Sequence, residues 1–214
     1  MLSARLEASA KYLKGFNYLV DCGTDHGYLP IYAIKNNIVK KAIASDNKEF
    51  PLNNARKNIK AENLDIKTIL ADGLPFLTEE IDIISILGMG GRLIKDILSR
   101  ADLSNVKRMV LSANSENYIL RDYLENNHFK IVAEEFLKDK QKYYQIIVCE
   151  PGEMTLNDIQ KEFGPINIKN SNDVFKEYIN KLINNLEKAI LNVKDELDRK
   201  NLKLRIKTLK EVVS

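Results

Sequence analysis

The stretch "FKIVAEEFLKDKQKYYQIIVCEP", residues 129–151, decides the fold. Two β-type runs rich in Ile, Val, Phe and Tyr are separated only by a charged turn, with no room for a helix between them. Such runs must pair antiparallel. Everything upstream has a different rhythm. Residues 17–22, 41–46, 66–70, 81–87 and 107–112 are short, apolar and bounded by Gly, Asp, Asn or Ser. Between them, 29–37, 50–61, 91–100 and 116–126 carry apolar positions at helical spacing, with Pro51 suited to a first turn and Ser115 to a cap. Strand alternating with helix predicts an α/β domain with a doubly wound parallel sheet.

A parallel sheet that ends in an antiparallel hairpin resembles the class I methyltransferase (Rossmann-like) fold, whose last strand inserts antiparallel. Ordinary dinucleotide dehydrogenases continue with parallel strands. After Pro151-Gly152 the composition shifts, which divides the chain into an S-adenosylmethionine-dependent domain over 1–152 and a C-terminal helical element over 153–214. In the latter, "TLNDIQKEFG" predicts a short helix stopped by Gly164-Pro165. From Ser171 onward Phe175, Ile179, Leu182, Leu186, Ala189, Val193 and Leu197 recur three and four residues apart. That spacing predicts a coiled-coil seam, either two helices reversing near Asp198–Asn201 or one long helix.

Composition bounds the function classes. The 214 residues are 44% hydrophobic and 29% charged, enough for one full core and a smaller second element. No apolar run approaches the roughly 20 residues that span a bilayer, and the N-terminal "MLSARLEASAKYLKG" reads as an amphipathic helix, so a cytoplasmic protein is expected. Cys22 and Cys149 each end an apolar run, nothing near them has metal-ligand spacing, and both are expected to be buried free thiols. His128 stands before a strand with no carboxylate or cysteine in register and is expected in a surface or packing role rather than a catalytic one. The net charge of +3 is too small to demand a nucleic-acid partner. Its distribution says more: Arg199, Lys200, Lys203, Arg205, Lys207 and Lys210 fall in one stretch without an acid, which is either a solvated helix face or an RNA-facing patch.

Ligands of a doubly wound sheet sit over the carboxyl ends of its strands. After the first run comes "DCGTDHGYLP", residues 21–30. As a phosphate cradle it lacks the third glycine. As the acid-x-Gly-x-x-x-Gly loop of a methyltransferase it fits better: Asp21, Gly23 and Gly27 keep the loop tight, and Asp25 stands where a middle glycine is usual. A carboxylate suits a sulfonium better than a phosphate, although Asp25 could equally be a helix N-cap. Asp46, 23 residues beyond Gly23, and the adjacent Asn47 are placed to accept ribose hydroxyls. In "ADG", Asp72 can accept from an exocyclic adenine amine and Gly73 lets the chain approach. Gly88 to Gly91, "GMGG", replaces the Asn/Asp-Pro-Pro-aromatic motif of amine methyltransferases. It is either a plain tight turn or, through Gly88, Met89 and Gly90, the place where donor and a flat base meet.

Over essentially its full length the chain resembles the bacterial tRNA (adenine-N1)-methyltransferases that modify adenosine 22. "LSARLEASAKYL", "DCGTDHGYLP", "ILADGLPFL", "LGMGGRLIKDIL" and the closing hairpin with its helical C-terminus carry the likeness. "LSAN" at 111–114 departs from the family's Gln-Pro-Asn, keeping only Asn114. The resemblance implies S-adenosyl-L-methionine as donor, adenosine N1 of tRNA as acceptor, and no metal; a monomer or weak oligomer is expected. Adenine N1 attacks through an in-plane lone pair and the product base is cationic, so Asp25 is the candidate to stabilise that charge and His26 to orient the donor's tail or the loop. N1 lies on the pairing edge, so the base must be unpaired or flipped out. Two other classes are weighed: a nicotinamide oxidoreductase, disfavoured by the antiparallel ending, and a non-catalytic RNA-binding protein on the same scaffold.

Overall fold

Runs such as Leu19-Val20 and Ile83–Leu87 are buried on both faces, which is why they read as continuous rather than alternating apolar segments. In the computed structural model, which describes residues 2–213, they lie in one seven-stranded sheet. Its strands are β1 (Tyr18–Cys22), β2 (Lys41–Asp46), β3 (Lys67–Leu70), β4 (Ile83–Met89), β5 (Arg108–Ala113), β6 (Phe129–Asp139) and β7 (Lys142–Pro151). The order is β3-β2-β1-β4-β5-β7-β6. The first five are parallel, and β7 runs antiparallel to both β5 and β6. The hairpin therefore slots its second strand between the parallel sheet and its own first strand, as the sequence predicts for a Rossmann-like class I methyltransferase sheet.

Helices cover both faces. On one, α4 (Gly91–Ser99) and α5 (Asn117–Asn126) bury Ile94, Ile97, Leu98, Leu120 and Leu124 against Val20, Ile84, Ile86, Met109 and Leu111. On the other, α1 (Ala4–Ala10), α2 (Tyr28–Lys35) and α3 (Glu49–Ala61) set Ala8, Leu29, Ala33, Ala55 and Ile59 against Leu19, Ala44, Ile83, Val110 and Val148. Cys22 and Cys149 are buried free thiols, and burial pushes the Cys22 thiol up to about 12. His128 is exposed, its Nδ1 2.7 Å from a Glu153 oxygen.

Three local expectations are corrected. Ser115 does not cap α5: the cap position is Glu116, in the left-handed region at φ 56°, while the Ser115 carbonyl accepts the Gly91 N–H at 2.9 Å. Gly164-Pro165 ends α6 (Asp158–Phe163) as the sequence predicts, and Pro165 then opens α7 (Pro165–Asn170) at its first position. The C-terminal reversal lies at residues 191–195, between α8 (Asp173–Ile190) and α9 (Glu196–Val212), not at Asp198–Asn201, and the single long helix does not form. Asp195 accepts the Asp198 N–H at 2.9 Å as N-cap, and Glu196 and Asp198 complement the positive helix end, which fixes the start of α9 there. Phe175, Ile179 and Ile183 are buried with Ile206 and Leu209, but Ala189 is exposed and Leu197 is 66% exposed, so the seam stops short of the predicted length.

A buried ion pair ties α6 and α7 to the sheet domain. The Arg121 side chain on α5, fully buried, donates from Nε and Nη2 to a Glu134 oxygen on β6 at 2.9 and 2.6 Å. Its Nη1 also donates to the Lys161 and Glu162 carbonyls, and Nη2 to Gln145 Oε1. The second Glu134 oxygen accepts the Ile166 and Asn167 N–H groups at the start of α7.

Candidate active site

The loops after β1 to β4 converge over the carboxyl edge of the sheet because all four strands are parallel and point the same way. They border a cleft of about 950 Å³, lined among others by Asp21, Gly23, Asp25, His26, Asp46, Asn47, Asp72, Gly73, Gly88 and Met89. Two glycines read as site residues lie off its wall. Gly27 is buried at the start of α2, where a Cβ would meet the Ala55 Cβ at 3.2 Å, and Gly90 precedes α4. None of the α9 basic residues lines the cleft.

The first loop is held from below. The Asp21 carboxylate is buried and accepts the Thr24 and Ser85 hydroxyls, both at 2.7 Å. Burial raises its pKa above the usual carboxylate range, the two hydroxyls pulling the other way. Its role is to shape the loop from beneath. Gly23 and Thr24 donate their N–H groups to the Ser45 carbonyl at 2.9 Å. Gly23 sits at φ 75°, and a Cβ there would overlap the Met89 methyl, so this loop and the β4 turn close on each other only with glycine at 23. Asp25, at φ 51°, is one of several non-glycine residues in that region, and its side chain is 67% exposed. His26 stacks on Tyr28 at 5.2 Å, with its Nε2 3.6 Å from an Asp25 oxygen.

Asp46 accepts the Lys48 N–H at 3.0 Å on one oxygen and the Asp25 N–H at 3.4 Å on the other. A carboxylate has about four acceptor sites, so two remain for a vicinal diol. Asp72 differs from its sequence reading: it is already paired with Arg100 at 3.0 Å, and that guanidinium holds its carboxyl below the usual range. The pair is exposed, so Asp72 keeps acceptor capacity toward an amine. Leu93, Ile97 and Met89 add apolar wall. Acceptors for a diol and an amine, an apolar wall and carboxylates near a cationic centre fit S-adenosyl-L-methionine. Among the described residues no group of three or more His, Cys, Asp or Glu could hold a metal ion.

Several lining residues were not read from the sequence. Arg5 reaches in from α1, over the Tyr144 ring at 5.2 Å, and a Cβ at 88 would lie 2.7 Å from its guanidinium, so Gly88 makes room for an arginine. Asn114 donates its amide to the Gly88 carbonyl at 2.6 Å and its N–H to the Met89 carbonyl at 2.8 Å, bracing the glycine turn. The start of β7 supplies Tyr143 and Tyr144, and α8 supplies Tyr178. The tyrosine pair beside the hairpin turn was a visible signal; Tyr178 was not, since its spacing is that of the α8 seam.

The family described as tRNA (adenine(22)-N(1))-methyltransferase matches residues 19–214. The chain belongs to that family. A Bacillus subtilis tRNA (adenine(22)-N(1))-methyltransferase is 32% identical over 157 residues, which cover 71% of this chain and 66% of that relative, just under two thirds of its length. A Streptococcus pneumoniae structure solved in complex with S-adenosyl-L-methionine superposes with a TM-score of 0.92 at 37% identity, covering 100% of both chains. M. capricolum TrmK, solved with the cofactor product S-adenosyl-homocysteine, gives 0.88 at 30% identity over 100% of this chain and 98% of its own. Membership of a family so described speaks against the oxidoreductase reading.

Proposed function

We propose that this protein transfers a methyl group from S-adenosyl-L-methionine to N1 of adenosine 22 of tRNA. The carrying observation is the convergence of Asp25, Asp46, Asp72 and the Gly23 and Gly88 turns on one cleft, in a chain of this family. Asp46 and Asn47 would hold the ribose, Asp72 and Gly73 the donor's adenine, and the Gly23 loop the methionine tail. The donor supplies an electrophilic methyl on a cationic sulfur. Adenine N1 needs no base to remove a proton before attack, so the protein's work is placement and electrostatics. Asp25 faces the charge that passes from sulfur to the base, and His26, stacked on Tyr28, orients the loop beside it. Met89 and Gly90 border the approach of the base. Calorimetry should detect S-adenosyl-L-methionine and not a nicotinamide dinucleotide, and labelled methyl should appear in 1-methyladenosine after digestion of unmodified tRNA. Binding without transfer to tRNA would refute the enzymatic reading and leave an RNA-binding protein.

Asp46→Ala is expected to weaken donor binding by about 1.5–3 kcal/mol, the scale of hydrogen bonds to a charged group. Unchanged affinity in a folded variant would remove Asp46 from the ribose site.

In this reading residues 1–152 carry the donor and residues 153–214 the tRNA, with α8 and α9 as a short coiled-coil arm; the protein acts in the cytoplasm, without metal, as a monomer or weak oligomer. The six basic residues of α9 divide. Arg205 pairs with Glu162 and lies 5.6 Å over the Phe163 ring, Lys210 pairs with Glu187 at 2.9 Å, and Arg199 donates to the Val193 carbonyl at 2.8 Å. Lys200, Lys203 and Lys207 are exposed, Lys207 with Glu211 one turn on at 4.0 Å. Replacing those three with Gln should leave donor affinity and thermal stability unchanged. It should flatten the salt dependence of tRNA binding by about 0.7–0.9 log units for each phosphate that is no longer neutralised. An unaltered slope would reduce α9 to a fold-completing helix.

A further inference from the structure

A second, smaller compartment of about 270 Å³ adjoins the cleft and shares Asn114, Tyr143 and Tyr178 with it. We propose that this compartment receives the flipped-out target adenine, stacked among Tyr118, Tyr143 and Tyr178; the proposal rests on the methyltransferase reading above and adds where the acceptor base sits. Three tyrosines from three elements meet here: Tyr118 from α5, Tyr143 from the start of β7 and Tyr178 from α8. Tyr143 and Tyr178 brace each other at 5.1 Å, and Phe136 backs Tyr178 at 5.2 Å, so their rings are held rather than free. Tyr118 is 53% exposed, an aromatic surface that packing of the core does not require.

Size and polarity agree with a base. The volume equals about nine waters' share of liquid, enough for a purine ring. Cations stand beside it for the sugar-phosphate: Lys181 lies 5.6 Å over the Tyr143 ring and Lys142 lines the adjoining cleft, while Lys138 is paired with Glu177 at 2.6 Å. Stacking on aromatic rings tolerates any base, so selection falls to the polar groups, and Asn114, Glu116 and Asn117 border the same space. Asn114 borders both spaces, so a base stacked here lies beside the donor cleft. The position also explains why α8 is folded onto the sheet: it contributes the wall that the parallel domain lacks.

The test uses the full chain and a tRNA carrying 2-aminopurine at the target position, beside unmodified tRNA. Tyr118→Leu and Tyr178→Leu should slow single-turnover transfer at saturating tRNA by about 10-fold or more and change the 2-aminopurine fluorescence of the complex, with donor affinity within about 2-fold of the parent. Tyr178→Phe, which keeps the ring, should retain near-parental rates. Tyr118 is half-exposed, so its variant reads the proposal even where Tyr178→Leu does not fold. Parental rates and fluorescence in a folded Tyr118→Leu and Tyr178→Leu pair would overturn the assignment. So would a parallel loss of donor affinity, which would place these rings in the cofactor pocket. A parent protein that binds the donor but methylates no tRNA fails the functional reading instead, and the fluorescence arm still separates the two.

Discussion

Arg121→Met is expected to destabilise the protein by about 3–5 kcal/mol, the cost of leaving one member of a buried ion pair alone. The loss has several parts. Glu134 keeps only the Ile166 and Asn167 N–H groups, and the Lys161 and Glu162 carbonyls and Gln145 lose their donor at the seam between α5 and α6. Adding Glu134→Leu should recover part of the loss and not all of it, because the two N–H groups of α7 then lack an acceptor. Urea unfolding of the two variants measures both numbers. A single-variant loss below about 1 kcal/mol would mean that water replaces the arginine and that the C-terminal helices are held by their apolar packing alone. The same node holds α7, which leads directly into α8 and Tyr178, so a folded Arg121→Met should also slow methyl transfer more than it weakens donor binding.

Asp25→Asn is expected to bind S-adenosyl-L-methionine nearly as the parent does and to lose methyl transfer by about 10²-fold or more. Asparagine tolerates the left-handed backbone that Asp25 adopts at φ 51°, so the loop keeps its shape and only the charge is removed. The two readouts separate the roles that the sequence left open. Loss of donor binding with an intact fold would assign Asp25 to the cofactor loop, whose N–H on Asp46 already ties it to the ribose acceptor. Loss of transfer alone supports the charge on the base.

The sequence by itself determined the order of strands and helices, the antiparallel hairpin and the loops that border the cleft. These follow from short-range signals: apolar runs of strand length, helical spacing between them, and a turn too short for a helix at residues 138–142. Loop residues after parallel strands must gather at one edge, so Asp25, Asp46 and Asp72 were legible as neighbours before any coordinates. Tertiary structure decided what those short-range signals do not encode. The register shift between Ile131 and Ala133 changes the parity of β6, so Glu134 and Phe136 join the face begun by Phe129 and Ile131, and a glutamate in an ordinary strand pattern becomes the buried partner of Arg121. The start of α9 was set by Asp195 as a cap, which outweighed a hydrophobic spacing that continued through it. Arg5, Asn114 and Tyr178 reach the cleft from an N-terminal helix, the fifth strand's end and the C-terminal helix. Their meeting depends on packing between segments far apart in the chain, which no local periodicity records.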